Sequence, residues 1–199
     1  MAGARHLEAV LFDFDGTLFD LEVDWADFRR RWAGGDQSGA EILRGLAGRD
    51  LAAALEDLAA AEMEGVRRGR PMTGAAEALA LVAARFPVAV VSRNSVAAIE
   101  GGLAVMGVPT VEVVGRETVR EHKPAPDAIQ LALKRLGASG GLMVGDTTHD
   151  VEAAAAAGIP SVVVRNPKLA FAPQKADYYV GSIGEITKLL EDMKWQRQI

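Results

Sequence analysis

The chain has 199 residues, 49% of them hydrophobic and 25% charged, enough for one sizeable core with at most a small accessory domain. Those proportions are ordinary for a globular protein, and charges interrupt every apolar run before the ~20 residues of a membrane-spanning helix accumulate. A net charge of −5 argues against a surface that grips nucleic-acid backbone, and the lack of cysteine removes disulfide frameworks, thiolate metal sites and cysteine nucleophiles.

Residues 1–8 hold no long apolar stretch of the kind a secretory leader carries, so a cytoplasmic protein with no membrane role is expected. The first strand is expected at residues 9–12, ending in Asp13-Phe14-Asp15-Gly16-Thr17. From 20 to 72 no strand-like run occurs, and the composition turns dense in Ala, Leu, Glu and Arg, which predicts a helical insert. One helix is expected over 22–32 and another around Leu51, Leu55 and Leu58, with Gly34-Gly35 between elements. Trp25, Phe28 and Trp32 read as the insert's own small core, and the arginines at 29–31, 67, 68 and 70 as solvated faces.

Thr73 is expected to cap a helix carrying Leu79, Val82 and Phe86, followed by a strand at 88–91 that ends in Ser92. Ser95 opens the next helix, with Ile99, Leu103 and Met106 on one stripe and Gly107 as its stop. After a strand at 111–114, Lys123 precedes Pro124 and Pro126, which are expected to open a helix bearing Ile129, Leu133 and Leu136 and ending at Gly137. A strand at 142–144 leads into Gly145-Asp146-Thr147-Thr148-His149-Asp150 and an Ala-rich helix thin enough to pack close to a sheet. Residues 161–164 form the next strand, and Ser182 with Glu185 has the spacing of a capping box for a last helix through Ile186, Leu190 and Met193. The strands are continuously apolar rather than alternating, as in a parallel sheet covered on both faces. The expected class is therefore α/β, a doubly wound, Rossmann-like sheet, with residues 1–19 and 73–199 as core and 20–72 as a small helical insert after the first strand.

Two carboxylates at the end of a buried strand are costly unless a cation waits there, and the ends of parallel strands are where ligands collect. If the strands before Asp13 and Asp146 are neighbours, then Asp13, Asp146 and Asp150 converge on a hard-cation site, for which a few carboxylates plus water suit Mg²⁺ better than Ca²⁺. Asp150 falls in the first turn of its helix, where the dipole favours an anion. Ser92 and Lys123 add a hydroxyl and an ammonium at two further strand ends, a donor and a neutralising charge for a phosphoryl group.

In this order the four pieces resemble the haloacid dehalogenase superfamily of phosphohydrolases: a D-x-D at Asp13 and Asp15, a strand-end Ser92, Lys123 ahead of a helix, and G-D-x-x-x-D at Asp146 and Asp150. The likeness extends to phosphoglycolate phosphatases with a small helical cap, which gives residues 20–72 the meaning of a lid. The resemblance implies that Asp13 is a nucleophile forming an aspartyl-phosphate and Asp15 the general acid and base. It implies that Ser92 and Lys123 hold the phosphoryl oxygens, with Arg93, Asn94 and Thr17 as further phosphate contacts. Mg²⁺ would be held by Asp13, Asp146 and the backbone carbonyl of Asp15, with Asp150 reaching it through water. Arg93 stands where many relatives carry Asn, so Asn94 is displaced by one position. The expected substrate is a small phosphorylated metabolite. A phosphotransferase or mutase, or a fold that binds a phospho-ligand without turnover, is the competing reading. Oligomeric state is not specified by the sequence.

Overall fold

The computed structural model describes residues 6–33, 35, 37–170, 172–193 and 196–197; Gly34 and residues 1–5, on which two of the sequence expectations fall, lie outside them. A two-residue strand β1 (His6–Leu7) precedes β2 (Val10–Phe12) and β3 (Phe19–Asp20), after which the chain enters three helices, α1 (Trp25–Trp32), α2 (Gly39–Gly45) and α3 (Gly48–Arg68). It returns through β4 (Arg70–Pro71) to α4 (Ala75–Ala83), β5 (Val88–Val91), α5 (Val96–Met106), β6 (Glu112–Val114), α6 (Asp127–Leu136) and β7 (Leu142–Gly145). The chain closes with α7 (Thr148–Ala157), β8 (Ser161–Val164), β9 (Tyr178–Val180), α8 (Ile186–Asp192) and β10 (Gln196–Arg197), which pairs with β1.

Six strands form one sheet in the order β6-β5-β2-β7-β8-β9, and every pair in it is parallel. Such a sheet must be covered on both faces. Alternate residues of β2 accordingly face opposite cores. Val10 and Phe12 pack with Leu79, Ile99 and Ile186 from α4, α5 and α8, whereas Leu11 packs with Ile129 and Leu133 of α6 and Ala153 of α7. The Ala-rich α7 lies against β7 and β8, as its small side chains allow.

Local differences from the expected elements have physical causes. The cap of α4 is Gly74, at φ +81°, rather than Thr73. Helix α6 begins at Asp127 with Pro126 as its cap, so Pro124 belongs to the preceding loop. Glu185 accepts from Gly181 N–H and Ser182 Oγ, but the turn it closes is a 3-10 turn (Ile183–Glu185) that only then becomes α8. The edge strand β9 was not anticipated, because Tyr179 is 53% exposed and no continuous apolar run marks it.

The three insert helices leave and re-enter through the antiparallel pair β3 and β4, with Asp20 opposite Arg70. Asp20 also accepts from Lys168, which ties this hinge to the loop after β8. Phe28, Ile42, Ala54 and Leu58 form a separate small core with Trp32 against it. Trp25 sits at its rim, 37% exposed, edge-on to Phe28. Helix α2, capped by Ser38 and Glu41 in a capping box, went unread in the sequence because only Ile42 of its residues is buried. The cationic runs make surface ion pairs, Arg30 and Arg31 with Asp27 and Arg67 with Glu64, each worth little in stability. Among the described residues no helix is long and apolar enough to cross a membrane.

Candidate active site

In an open parallel sheet the crevice for a ligand forms at the carboxyl ends of the strands, where successive connections depart in opposite directions. Strand β2 holds that place, between β5 and β7. Asp13 follows β2, Ser92 follows β5 and Asp146 follows β7, and the Asp13 N–H still donates to the Val144 carbonyl at 2.8 Å. Asp13, Asp146 and Asp150 are all buried, and each offers a carboxylate oxygen within 4.8 Å of the others.

Lys123 reaches this group from the loop after β6. Its ammonium is 2.8 Å from Asp13 Oδ1 and also donates to Asp150 Oδ1. Burial alone would lower the Lys123 pKa, but the charges of Asp13 and Asp150 outweigh it and hold the ammonium above its usual range. Asp150 is itself fixed from its other oxygen, which accepts from Thr147 N–H at 3.0 Å and Thr147 Oγ at 2.7 Å. Gly145 permits this: a Cβ there would lie 2.3 Å from the Asp150 carboxyl carbon. Asp13 takes the Phe14 N–H and Lys123 on the same oxygen, Oδ1, which leaves Oδ2 for other chemistry.

Burial, reinforced by the charge of Asp150, raises the Asp13 pKa against the opposing pull of Lys123. Asp146 is pushed up to about 7, by burial first and then by Asp13. The cluster therefore repels itself. One ammonium does not neutralise three neighbouring carboxylates, and oxygen donors without a sulfur or an imidazole among them suit a hard divalent cation. Asp15 stands outside the three-carboxylate group. Its Oδ1 accepts from the Leu21 N–H at 3.0 Å, and burial lifts its pKa to about 7, where a carboxyl can both give and take a proton near neutrality.

Three of the residues expected to contact phosphate have protein partners. Thr17 is fully buried and donates to Asp146 Oδ1 at 3.2 Å, which helps to orient that carboxylate. Arg93 turns its guanidinium to His149, 3.4 Å away. Asn94 is committed to protein partners, accepting from Ser92 Oγ at 2.8 Å and donating to Glu62 at 3.3 Å. Asn166, which sequence reasoning missed, donates to Asp146 Oδ2 at 2.7 Å. Its signal was a polar residue at a strand's carboxyl end, just after 161–164. Glu62 and Arg116 were missed as well. Helix α3 buries Ala54, Leu58, Glu62 and Val66 at successive steps of four, and an acid on an otherwise apolar stripe was the available clue.

Gly16 is required at the tip of β2. Its φ is +83°, and a Cβ there would come within 2.3 Å of Asp146 Oδ2 and 2.7 Å of Asn166 Nδ2. Gly16→Ala is therefore expected to cost about 1–2 kcal/mol of stability from backbone strain alone and to displace Asp146. Thermal unfolding with and without Mg²⁺ checks both, the second as a lost response to the ion. Beside Gly16 a cavity of about 190 Å³ is lined by Asp20, Arg70, Thr73, Asn166 and Lys168.

A pH dependence follows from the raised carboxyls. A folded-state pKa of about 7 for Asp15 and Asp146, above the ordinary 3.8, means that the folded protein holds protons the unfolded chain has lost. These two groups therefore stabilise the cation-free protein less and less as pH rises through that window. A divalent cation held at Asp146 would compete with the proton of that carboxyl, so any rise in Tm on adding Mg²⁺ should grow from the acid to the alkaline side of 7. Differential scanning calorimetry in Mg²⁺ and in EDTA measures it, and an increment independent of pH would contradict the assignment.

The fold and the strand-end group define a class, a doubly wound α/β protein with a buried acidic site completed by a lysine. The sequence pattern of the haloacid dehalogenase-like hydrolases matches residues 10–164, and the chain belongs to that family. Residues of the chain are 34% identical over 84 residues to PpaX of Caldanaerobacter subterraneus, named for a pyrophosphatase, covering 40% of this chain and 38% of that protein. They are 45% identical over 58 residues to the phosphoglycolate phosphatase of Rhodospirillum rubrum, covering 28% of this chain and 24% of the relative. These matches thus span well under half of the relatives' lengths. A hydrolase from Pseudomonas syringae has the same fold, with a TM-score of 0.72 at 19% identity over 93% of this chain and 98% of that one. CbbY of Rhodobacter sphaeroides, solved with phosphate, gives 0.65 at 25% identity over 90% and 96%.

Proposed function

We propose that the protein is a Mg²⁺-dependent phosphatase that acts on a small phosphorylated metabolite of the cytoplasm through a phospho-aspartate at Asp13. The observation that carries this reading is the buried meeting of Asp13, Asp146, Asp150 and Lys123 at one sheet edge, with Asp15 two residues from Asp13. Asp13 Oδ2 attacks phosphorus while the bond from phosphorus to the leaving oxygen breaks, and Asp15 gives that oxygen its proton. Asp15 then takes a proton from water as the water attacks the same phosphorus, the bond to Asp13 breaks, and orthophosphate leaves. A pKa of about 7 suits Asp15 to both transfers.

Lys123 and Ser92 bind the phosphoryl oxygens, and Asp150 holds Lys123 in place. Mg²⁺ would be held by Asp13, Asp146 and the backbone carbonyl of Asp15, and when bound it neutralises phosphoryl charge. We read the helical insert as a lid that excludes water and selects the substrate. The names of the relatives, phosphoglycolate phosphatase and pyrophosphatase, point to small phosphorylated compounds.

The test is orthophosphate release from a panel of phosphate esters that includes 2-phosphoglycolate, together with pyrophosphate, with Mg²⁺ or EDTA. Release that depends on Mg²⁺ supports the proposal. Turnover only with a bisphosphate activator would indicate a mutase, and no turnover across the panel would leave a binding protein.

A further inference from the structure

Helix α3 of the insert meets the core through a buried acid. Glu62 is 1% exposed and Arg116, in the loop after β6, is 7% exposed. The two pair in a fork, Arg116 NH1 to Glu62 Oε1 at 2.7 Å and NH2 to Oε2 at 3.1 Å. Each oxygen takes a second donor: Oε1 accepts from Asn94 Nδ2 at 3.3 Å, and Oε2 from the Ser95 N–H at 2.9 Å. Arg116 grips the same loop from its other side, through NH1 to the Arg93 carbonyl at 3.1 Å and through its own N–H to the Asn94 carbonyl at 2.8 Å. The cost is visible, because Arg116 Nε is buried with no partner. A buried donor is left unpaired only where other contacts dictate the geometry.

An ionised carboxylate can only accept hydrogen bonds. Glu62 therefore compels Asn94 to present its NH₂ to it, which turns the Asn94 carbonyl oxygen toward Ser92. Ser92 Oγ donates to that oxygen at 2.8 Å and accepts the Asn94 N–H at 3.4 Å. The hydroxyl is thus held at one place with its proton parked on a neutral acceptor, from which it can rotate to a phosphoryl oxygen.

We propose that Glu62 and Arg116 are positioning residues for phosphate binding: together they dock the insert onto residues 93–95 and, through Asn94, set the orientation of the Ser92 hydroxyl. The inference rests on the reading of Ser92 as a phosphate ligand. It adds that the insert is joined to the phosphate site by a chain of buried bonds, so that a change in α3 is felt at Ser92 without touching the substrate.

Calorimetric titration of inorganic phosphate into the Mg²⁺-loaded full chain tests it, with Ser92→Ala as reference. Asn94→Ala cuts the relay and leaves the ion pair intact, and it should weaken phosphate binding about tenfold, the loss of one oriented hydrogen bond, with Tm lowered by a few degrees for the buried bonds to Ser92 and Glu62 that go with it. Glu62→Leu combined with Arg116→Met removes both charges, and should recover the stability that Glu62→Leu alone loses by stranding Arg116. Its phosphate affinity should remain about tenfold weak, and any activity should fall through KM rather than kcat. Parental phosphate affinity in either variant overturns the proposal and leaves the pair a tie between insert and core. Unchanged affinity in Ser92→Ala would instead remove the phosphate-site reading on which the proposal rests.

Discussion

Asp13→Asn is expected to lower kcat by about six orders of magnitude, the scale on which loss of a nucleophile acts, while the protein stays folded. The asparagine carbonyl oxygen can still accept from the Phe14 N–H and from Lys123, the two contacts that Asp13 Oδ1 makes. The substitution also removes one member of a mutually repelling set, since Asp13 is raised by burial and by Asp150, and itself raises Asp146. The Tm without Mg²⁺ should consequently stay close to that of the parent, and the increment from Mg²⁺ should shrink. Steady-state rates beside calorimetry separate the two effects, and a variant that kept an appreciable rate would remove Asp13 from its role.

Lys123→Met should be strongly destabilising. It leaves Asp13 and Asp150 buried beside each other without the ammonium that now touches both. Stranding buried charge in this way costs about 3–5 kcal/mol, a Tm loss of roughly 10 °C for a domain of this size. The sign of its pH dependence is fixed. Without Lys123 the Asp13 pKa rises further, so protonation relieves the repulsion at low pH and the loss deepens as pH increases. Lys123 also faces the phosphoryl group in the proposed mechanism, so activity should fall by about 10²–10³. Thermal scans across pH with and without Mg²⁺ check the first effect. A loss that does not vary with pH would mean that Lys123 stabilises through packing and not through its charge.

The sheet was legible in the sequence where its strands are buried on both faces: Val88–Val91, Leu142–Gly145 and Ser161–Val164 are buried throughout, and continuous apolarity is the mark of that environment. Strand β9 lacks it, being an edge. Strands β3 and β4 are two residues long, too short for any period to show. The positions of Asp13, Ser92, Lys123, Asp146 and Asp150 could be read because each follows a recognisable strand or precedes a helix signal. What their side chains touch could not be. Thr17 and Asn94 looked like ligand contacts because their types suit phosphate, yet their partners, Asp146 and Glu62, are far away in the chain. Helix α3 extends past Leu58 to Arg68, and the charged Glu62 on its buried stripe interrupted the apolar pattern that would have revealed it. Asn166 and Arg116 were hidden for the same reason: a polar residue in a loop acquires meaning only from what the fold sets against it.

In the proposed mechanism Asp13 forms a covalent bond to phosphorus. Rapid acid quench of the Mg²⁺-loaded enzyme during turnover of an accepted phosphate ester, with borohydride reduction and peptide mass spectrometry, reads this directly. A phosphoryl increment on the peptide bearing Asp13, converted by borohydride to homoserine at that residue and missing in Asp13→Asn, is the predicted result. Turnover with no label on that peptide at any quench time would contradict it.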